Sequence, residues 1–382
     1  MPSDPESHFP EDYFPADYRG ARRAFIAACE ARGVDVIARV NPNARGPDGG
    51  LLFLDVAAMG PRDAKKALVL VSGTHGVEGY FGSGVQTGLM REGIVPPAGT
   101  RLVMIHALNP FGFAWNRRVN EDNVDINRNF IDHDLARTAG PPANPGYDEL
   151  AGAFALTDIS EEGMARADEV LAAYAESHGA AAYQQAVSGG QYRHPDGLFY
   201  GGRAESWSAR ALRAIRVEDL SKAEQVIAID FHTGLGESGA AEMIVDAGPG
   251  SAHFARARAI WGEATVSGSA GQSLSAPLTG TLDVGLENML APAELTFAAL
   301  EVGTMPLAGM LRALRIANWQ DRFAPDASRA EEVSRLMRDA FYVDTPVWKR
   351  RVWAHAVRHV NAALAALGCG PRRDCGRWGA GL

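Results

Sequence analysis

Seven apolar, β-branched runs punctuate the chain, and several of them end in glycine-rich loops. They are Asp35 to Val40, Leu51 to Ala57, Ala67 to Ser72, Arg101 to Ala107, Val226 to Phe231, Glu242 to Val245 and Leu295 to Glu301. Two of them, Ala67-Leu-Val-Leu-Val71 and Val226-Ile-Ala-Ile229, are apolar without alternation, which predicts strands buried on both faces. Segments of helical character lie between and after them. The predicted helices are Tyr18 to Arg32, Gly79 to Arg91, Glu161 to Ala186, Glu205 to Leu220, Ala252 to Trp261, Gly309 to Asn318, Ser328 to Ala340 and Pro346 to Leu367. This alternation predicts an α/β fold with a central mixed, largely parallel twisted β-sheet and helices on both faces.

Two regions stand outside the pattern. Residues 132–200 form a long, partly helical excursion between strand regions, opening on the turn-rich Gly140-Pro-Pro-Ala-Asn-Pro-Gly146. Residues 368–382 are rich in Gly and Arg without periodicity and read as a disordered tail. The expected organisation is one domain over 1–367 carrying an insertion at about 132–200. No internal repeat runs along the chain.

Composition narrows the function classes. The 382 residues are 46% hydrophobic and 22% charged, as an ordinary globular protein requires. The 46 acidic against 37 basic residues give a formal net charge of −9, which argues against nucleic acid or anionic lipid as partners. No apolar run approaches the roughly 18–20 residues needed to cross a bilayer. The opening Met1-Pro2-Ser3-Asp4-Pro5-Glu6 lacks the features of a secretory signal, so a cytoplasmic location is expected. Three scattered cysteines, Cys29, Cys369 and Cys375, build neither a disulfide framework nor a Cys-rich zinc ribbon. No feature of the sequence sets an oligomeric state.

Three strand ends concentrate the chemistry. Val69-Leu-Val-Ser-Gly-Thr-His75-Gly-Val-Glu78 delivers an imidazole and a carboxylate into a glycine-permitted loop, where open α/β sheets collect ligands. Taken alone, this pair is equally a helix-start His with a Glu favoured by the helix dipole. Asp230-Phe-His232-Thr-Gly supplies a second imidazole after a second buried strand. Two His and one Glu form an established catalytic zinc set with an open fourth position, and His75, Glu78 and His232 fill it. Glu301, where a third apolar run gives way to a loop, is a candidate general base, or else an edge carboxylate in a salt contact. The segment from Asn109 to Phe130 is dense in Arg and Asn, which suits a substrate with a free carboxylate as well as a hydrogen-bonded turn network.

In their order, His75-x-x-Glu78, Asn109-Pro-x-Gly112, Arg118-Val-Asn-x-x-x-Val-Asp125-Ile-Asn127-Arg128-Asn129-Phe130, His232 and Glu301 resemble the zinc carboxypeptidase superfamily, whose relatives include aspartoacylase and succinylglutamate desuccinylase. The resemblance spans about residues 65–305. It implies that His75, Glu78 and His232 hold one Zn2+ ion. It implies further that Arg118 polarises the scissile carbonyl, with Arg117 as its substitute, and that Asn127 and Arg128 grip the terminal carboxylate. Glu301 is then the acid/base group, and Asp125 orients the first zinc histidine. Phe199-Tyr200-Gly201-Gly202 and Glu205-Ser206 match the family more loosely. The interval from Glu78 to His232 exceeds the usual one, and no position matches the family's mobile tyrosine or its specificity residue.

The implied activity is a zinc-dependent hydrolase of carboxypeptidase type, cleaving an amide next to a free carboxylate in a small peptide. An aspartoacylase-like N-acyl-amino-acid deacylase and a non-catalytic metal or carboxylate-binding module are the alternatives. Other motifs carry less. His355 and His359 share a helix face, but Ala356 stands where a zincin base would be. Gly82-x-Gly84 lacks the third glycine of a dinucleotide fingerprint, and there is no Gly-x-Ser-x-Gly elbow.

Overall fold

The computed structural model describes residues 9–273, 277–324 and 328–368. Its strands are β1 (Val36–Arg45), β2 (Leu51–Met59), β3 (Lys66–Ser72), β4 (Thr100–His106), β5 (Gln225–Leu235), β6 (Ala241–Val245), β7 (Thr265–Ser267) and β8 (Glu294–Met305). They form one mixed sheet in the order β1-β2-β4-β3-β5-β8-β6-β7. The four central strands β4, β3, β5 and β8 run parallel, while β1, β2 and β6 join through antiparallel pairs. All seven expected strands are present, and the three-residue edge strand β7 is an addition.

The pleat of β3 shows why its sequence is apolar throughout. Leu68 and Leu70 face a core that holds Phe25, Phe81 and Trp348 from helices on one side of the sheet. Ala67, Val69 and Val71 face a second core with Leu212 and Ile215 of helix Trp207–Asp219 and Leu286 of helix Leu282–Leu290. A strand covered on both faces has no polar side to offer, so alternation disappears. Helix Gly79–Arg91 lies so close to the sheet that a Cβ at Gly82 would sit 2.5 Å from Ser72 Cβ, and one at Gly84 2.5 Å from the Phe14 ring. These glycines therefore serve close packing.

The helices depart from expectation mainly in the excursion. The single helix expected over 161–186 is two, Glu161–His178 and Ala180–Ser188, broken at Gly179 with φ +84°. The turn-rich stretch is a helix boundary: Asn144 caps helix Pro145–Phe154 by accepting from Tyr147 N–H at 3.0 Å. The C-terminal helix runs Pro346–Gly368, so it takes in the first residue of the expected tail, while residues 369–382 lie outside the described residues. Among the described residues, no helix is long and apolar enough to cross a membrane.

The parallel register brings the chemistry together. Ser72 at the end of β3 pairs with Phe231 on β5, and His232 pairs with Glu301 on β8. His75 follows Ser72 by three residues, so the loop after β3 and the ends of β5 and β8 share one edge of the sheet.

Candidate functional site

Beyond β3 the chain turns at Gly73, with φ +69°, and passes through the short 3-10 helix Gly76–Glu78. A Cβ at Gly76 would meet the Gly112 backbone at 2.1 Å, so only glycine lets these two loops touch. His75 and Glu78 occupy cap positions of helical segments, yet neither side chain makes a cap hydrogen bond. Both turn instead into a buried cavity that also receives His232. A helix-start role for the pair is thereby replaced by a tertiary one.

Three side chains converge there. His75 Nδ1 lies 3.0 Å from Glu78 Oε1, His232 Nδ1 lies 3.1 Å from Glu78 Oε2, and the two Nδ1 atoms are 3.1 Å apart. Zinc bonds of about 2.0–2.1 Å in a tetrahedron put ligand atoms about 3.3 Å from one another, so the donor set fits such an ion with a small outward shift. Two imidazole nitrogens facing each other at this range need a proton or a cation between them. Among the described residues this is the one group of His, Cys, Asp or Glu ligand atoms close enough to share a metal; His355 and His359 do not form another.

The far side of each imidazole is also fixed. His232 Nε2 lies 2.6 Å from Asp230 Oδ2, and Thr74 donates to the other Asp230 oxygen at 2.9 Å. His75 Nε2 lies 3.1 Å from Asp125 Oδ1. A proton on His232 Nε2, held by Asp230, leaves its Nδ1 lone pair aimed at the common point, an arrangement that sets ligand tautomer and basicity. Asp125 was legible from its motif. Asp230 was not assigned, although the signal was in Asp230-Phe-His232: residues two apart on a strand share a face.

Arg118 closes the group. Its Nε donates to Asp125 at 3.0 Å and its Nη1 to Glu78 at 3.0 Å, and Nη2 sits 2.9 Å from His75 Nε2. Arg117 is directed elsewhere and pairs with Asp321 at 2.6 Å. Burial opposes the charge on Glu78, but His75 and a hydrogen bond from His232 more than offset it and hold the carboxyl below its ordinary range. Burial likewise opposes the charge on Asp125, which Arg118, His75 and Arg128 overcome. Burial also works against a charged His232, and Asp230 followed by Glu78 raises it well above an ordinary imidazole.

Glu301 behaves differently. It lines the same cavity half-buried and accepts from Leu235 N–H at 3.2 Å. Burial, then the negative charge of Glu78, push its carboxyl up to about 7. Two carboxylates in one cavity are thus driven apart, one held ionised and the other able to take and release a proton near neutrality.

Asn127 and Arg128 line the cavity beside Arg118. Asn127 Oδ1 accepts from Leu282 N–H at 2.8 Å, which leaves its NH2 group for a ligand. Arg128, 2% exposed, donates through Nη1 to the Asn127 carbonyl at 2.7 Å and through Nη2 to the Ser188 carbonyl at 2.7 Å. The excursion therefore reaches the site: Tyr183, Gln184, Val187 and Ser188 of helix Ala180–Ser188 form part of its wall. Tyr183 is the tyrosine that lines the cavity among the described residues. Phe199 lines it too, with its ring 5.4 Å from the Arg118 guanidinium, and Tyr200 accepts the Asp125 N–H at 2.8 Å.

Sheet and site together define an α/β protein with a candidate metal centre at the carboxyl ends of parallel strands. The chain belongs to the family described as protein of unknown function (DUF2817), whose model matches residues 14–355. No curated protein sequence matches it. Among solved structures it is similar to carboxypeptidase A from Helicoverpa armigera, at 11% identity over 92% of this chain and 77% of that one, with a TM-score of 0.45. It is similar to bovine thrombin-activatable fibrinolysis inhibitor, at 11% identity over 90% of this chain and 98% of that one, with a TM-score of 0.44. A succinylglutamate desuccinylase from Silicibacter sp. TM1040 is similar at 16% identity over 75% of this chain, which spans 65% of that one, with a TM-score of 0.37.

Proposed function

We propose that the chain is a zinc-dependent hydrolase of carboxypeptidase type that cleaves an amide bond next to a free carboxylate. The observation that carries the reading is the meeting of His75 Nδ1 and His232 Nδ1, 3.1 Å apart, with the Glu78 carboxylate, whose Oε1 lies 3.0 Å from the first and Oε2 3.1 Å from the second, in a cavity that Glu301, Arg118, Asn127 and Arg128 also line. His75, Glu78 and His232 would hold the ion. The chemistry that zinc supplies when bound is Lewis acidity, which lets a neighbouring water lose a proton near neutral pH.

The chain's own groups do the rest. Asn127 and Arg128 bind the substrate carboxylate and so fix the amide carbonyl in the cavity. Glu301 takes a proton from the attacking water as its oxygen bonds to the carbonyl carbon. Arg118 donates to the carbonyl oxygen as negative charge develops there. Glu301 then passes its proton to the departing nitrogen as the C–N bond breaks. Asp125 and Asp230 keep the imidazoles in one tautomer throughout.

A second reading, deacylation of a small N-acyl amino acid, draws on one observation: helix Ala180–Ser188 of the excursion forms a cavity wall and would shorten the space for an acyl group. Zinc-loaded protein offered blocked dipeptides beside acetyl and succinyl amino acids, with and without chelator, separates the two by which series turns over. Esterifying the substrate carboxylate is expected to raise the Michaelis constant strongly, and an unchanged constant would count against the Asn127 and Arg128 grip. Inertness toward every amide, with metal bound, would favour a non-catalytic module.

The orientation of His232 has its own test. Asp230→Asn keeps the shape of the side chain but no longer accepts the Nε2 proton as a carboxylate. Zinc affinity should fall about 10–100-fold, read by competition with a chromophoric chelator. Unaltered affinity would remove Asp230 from the account.

A further inference from the structure

Two arginines of the proposed chemistry share an aromatic ring that it does not use. The guanidinium carbons of Arg118 and Arg128 stand over the Phe199 ring, 5.4 and 6.0 Å from its centre. Phe199 is 8% exposed and lines the cavity with them. Its backbone lies in the left-handed region, with φ +54°. A bulky side chain rarely adopts that conformation, and where it does the surrounding structure must hold it there.

Hydrogen bonds hold the Phe199 loop from two directions. The buried Gln191 donates its backbone N–H to the Phe199 carbonyl at 3.1 Å and its Nε2 to the Leu198 carbonyl at 3.1 Å. The other hold comes from the segment that carries both arginines. Asn123 Nδ2 donates to the Pro195 and Gly197 carbonyls at 2.8 and 3.1 Å, and the Asp125 N–H donates to the Tyr200 carbonyl at 2.8 Å. The ring is therefore registered against the stretch between Arg118 and Arg128. Close packing alone does not set it, because a second, smaller cavity lies against Phe199 and is lined also by Arg118, Asn123 and Leu314.

The physical reason for a ring at this place is the pair of like charges. Burial works against a charged Arg128, Asp125 supports it, and the Arg118 charge works against it. An aromatic face is partly negative and attracts a guanidinium within about 6 Å of its centre. It does so without pairing with the planar fork of N–H donors, as a carboxylate would. Arg118 already commits donors to Asp125 and Glu78, and Arg128 to the carbonyls of Ser188 and Asn127. Each guanidinium has five N–H donors, so the ring supports both cations and leaves donors over for a ligand.

We propose that Phe199 is a positioning residue, whose ring face holds the Arg118 and Arg128 guanidiniums at one spacing, so that the donors for the carbonyl oxygen and for the substrate carboxylate match the distance between those two groups. This inference rests on the amide-hydrolase reading above and adds to it a residue that acts through the two arginines.

The test places mono-, di- and trifluorinated phenylalanine at position 199 of the zinc-loaded protein. Fluorine draws electron density from the ring face and leaves the shape of the ring and its backbone requirement nearly unchanged, so a packing role would not respond. The expected kcat/KM for a blocked dipeptide falls stepwise along the series, by about tenfold in all, with kcat lowered through Arg118 and KM raised through Arg128. Phe199→Leu keeps an apolar side chain without a ring face and should lose at least as much while still holding zinc. A flat fluorine series overturns the proposal, and so does a folded Phe199→Leu variant with parental kcat and KM. If the parent protein hydrolyses no amide, the hydrolase reading fails, and the urea-unfolding midpoint of the same series then decides the role of the ring. A midpoint that falls with each added fluorine supports its hold on the arginines. One that stays or rises, as added apolar character alone would produce, overturns it.

Discussion

Glu301→Gln is expected to retain zinc and to lose turnover by about 10²–10⁴-fold, the range for removing a positioned general base. Glutamine preserves the size of the side chain and can still accept the Leu235 N–H that now reaches Oε1 at 3.2 Å. What it removes is a proton acceptor. The cavity makes that acceptor effective, because burial and the ionised Glu78 push Glu301 up to about 7, where a carboxylate binds a proton strongly enough to take it from water and weakly enough to release it. The base must be unprotonated to start, so kcat/KM should rise with pH through an acid limb. A dication beside Glu301 favours its charged form, which moves that limb to or below about 7 and never above it. Gln should abolish the limb along with the activity. Parental rates in Glu301→Gln, with zinc bound, would show that another group moves the proton.

His232→Ala is the second large effect. It removes one of three ligand atoms and leaves Asp230 and Glu78 without the imidazole that lies 2.6 and 3.1 Å from them. Two protein ligands do not make a catalytic zinc site. Zinc affinity should fall by more than about 100-fold, beyond the range for losing an outer partner such as Asp230. Activity should follow the metal content. Retention of one zinc per chain by His232→Ala would mean that the ion binds elsewhere.

The central strands were legible because burial on both faces removes alternation, as in Ala67 to Val71 and Val226 to Ile229. The meeting of His75, Glu78 and His232 was legible because parallel strands end on one side of their sheet. Other features depended on packing that no local pattern reports. Helix Leu282–Leu290 is short and holds Gly285, needed because a Cβ there would lie 2.3 Å from the Phe130 ring. Gly179 divides a helical pattern whose apolar spacing runs straight through it. Asp246 and Asp283 belong to no motif in the sequence, and only tertiary folding brings them to one cavity. The reach of the excursion into the site, through Ser188 against Arg128, is equally a tertiary fact.

Anomalous scattering at the zinc edge from crystals of the zinc-loaded protein tests the central claim most directly. The account predicts one strong peak with His75 Nδ1, His232 Nδ1 and a Glu78 carboxylate oxygen each about 2.0–2.2 Å away. A peak on other residues, or none within bonding distance of these three, would contradict it.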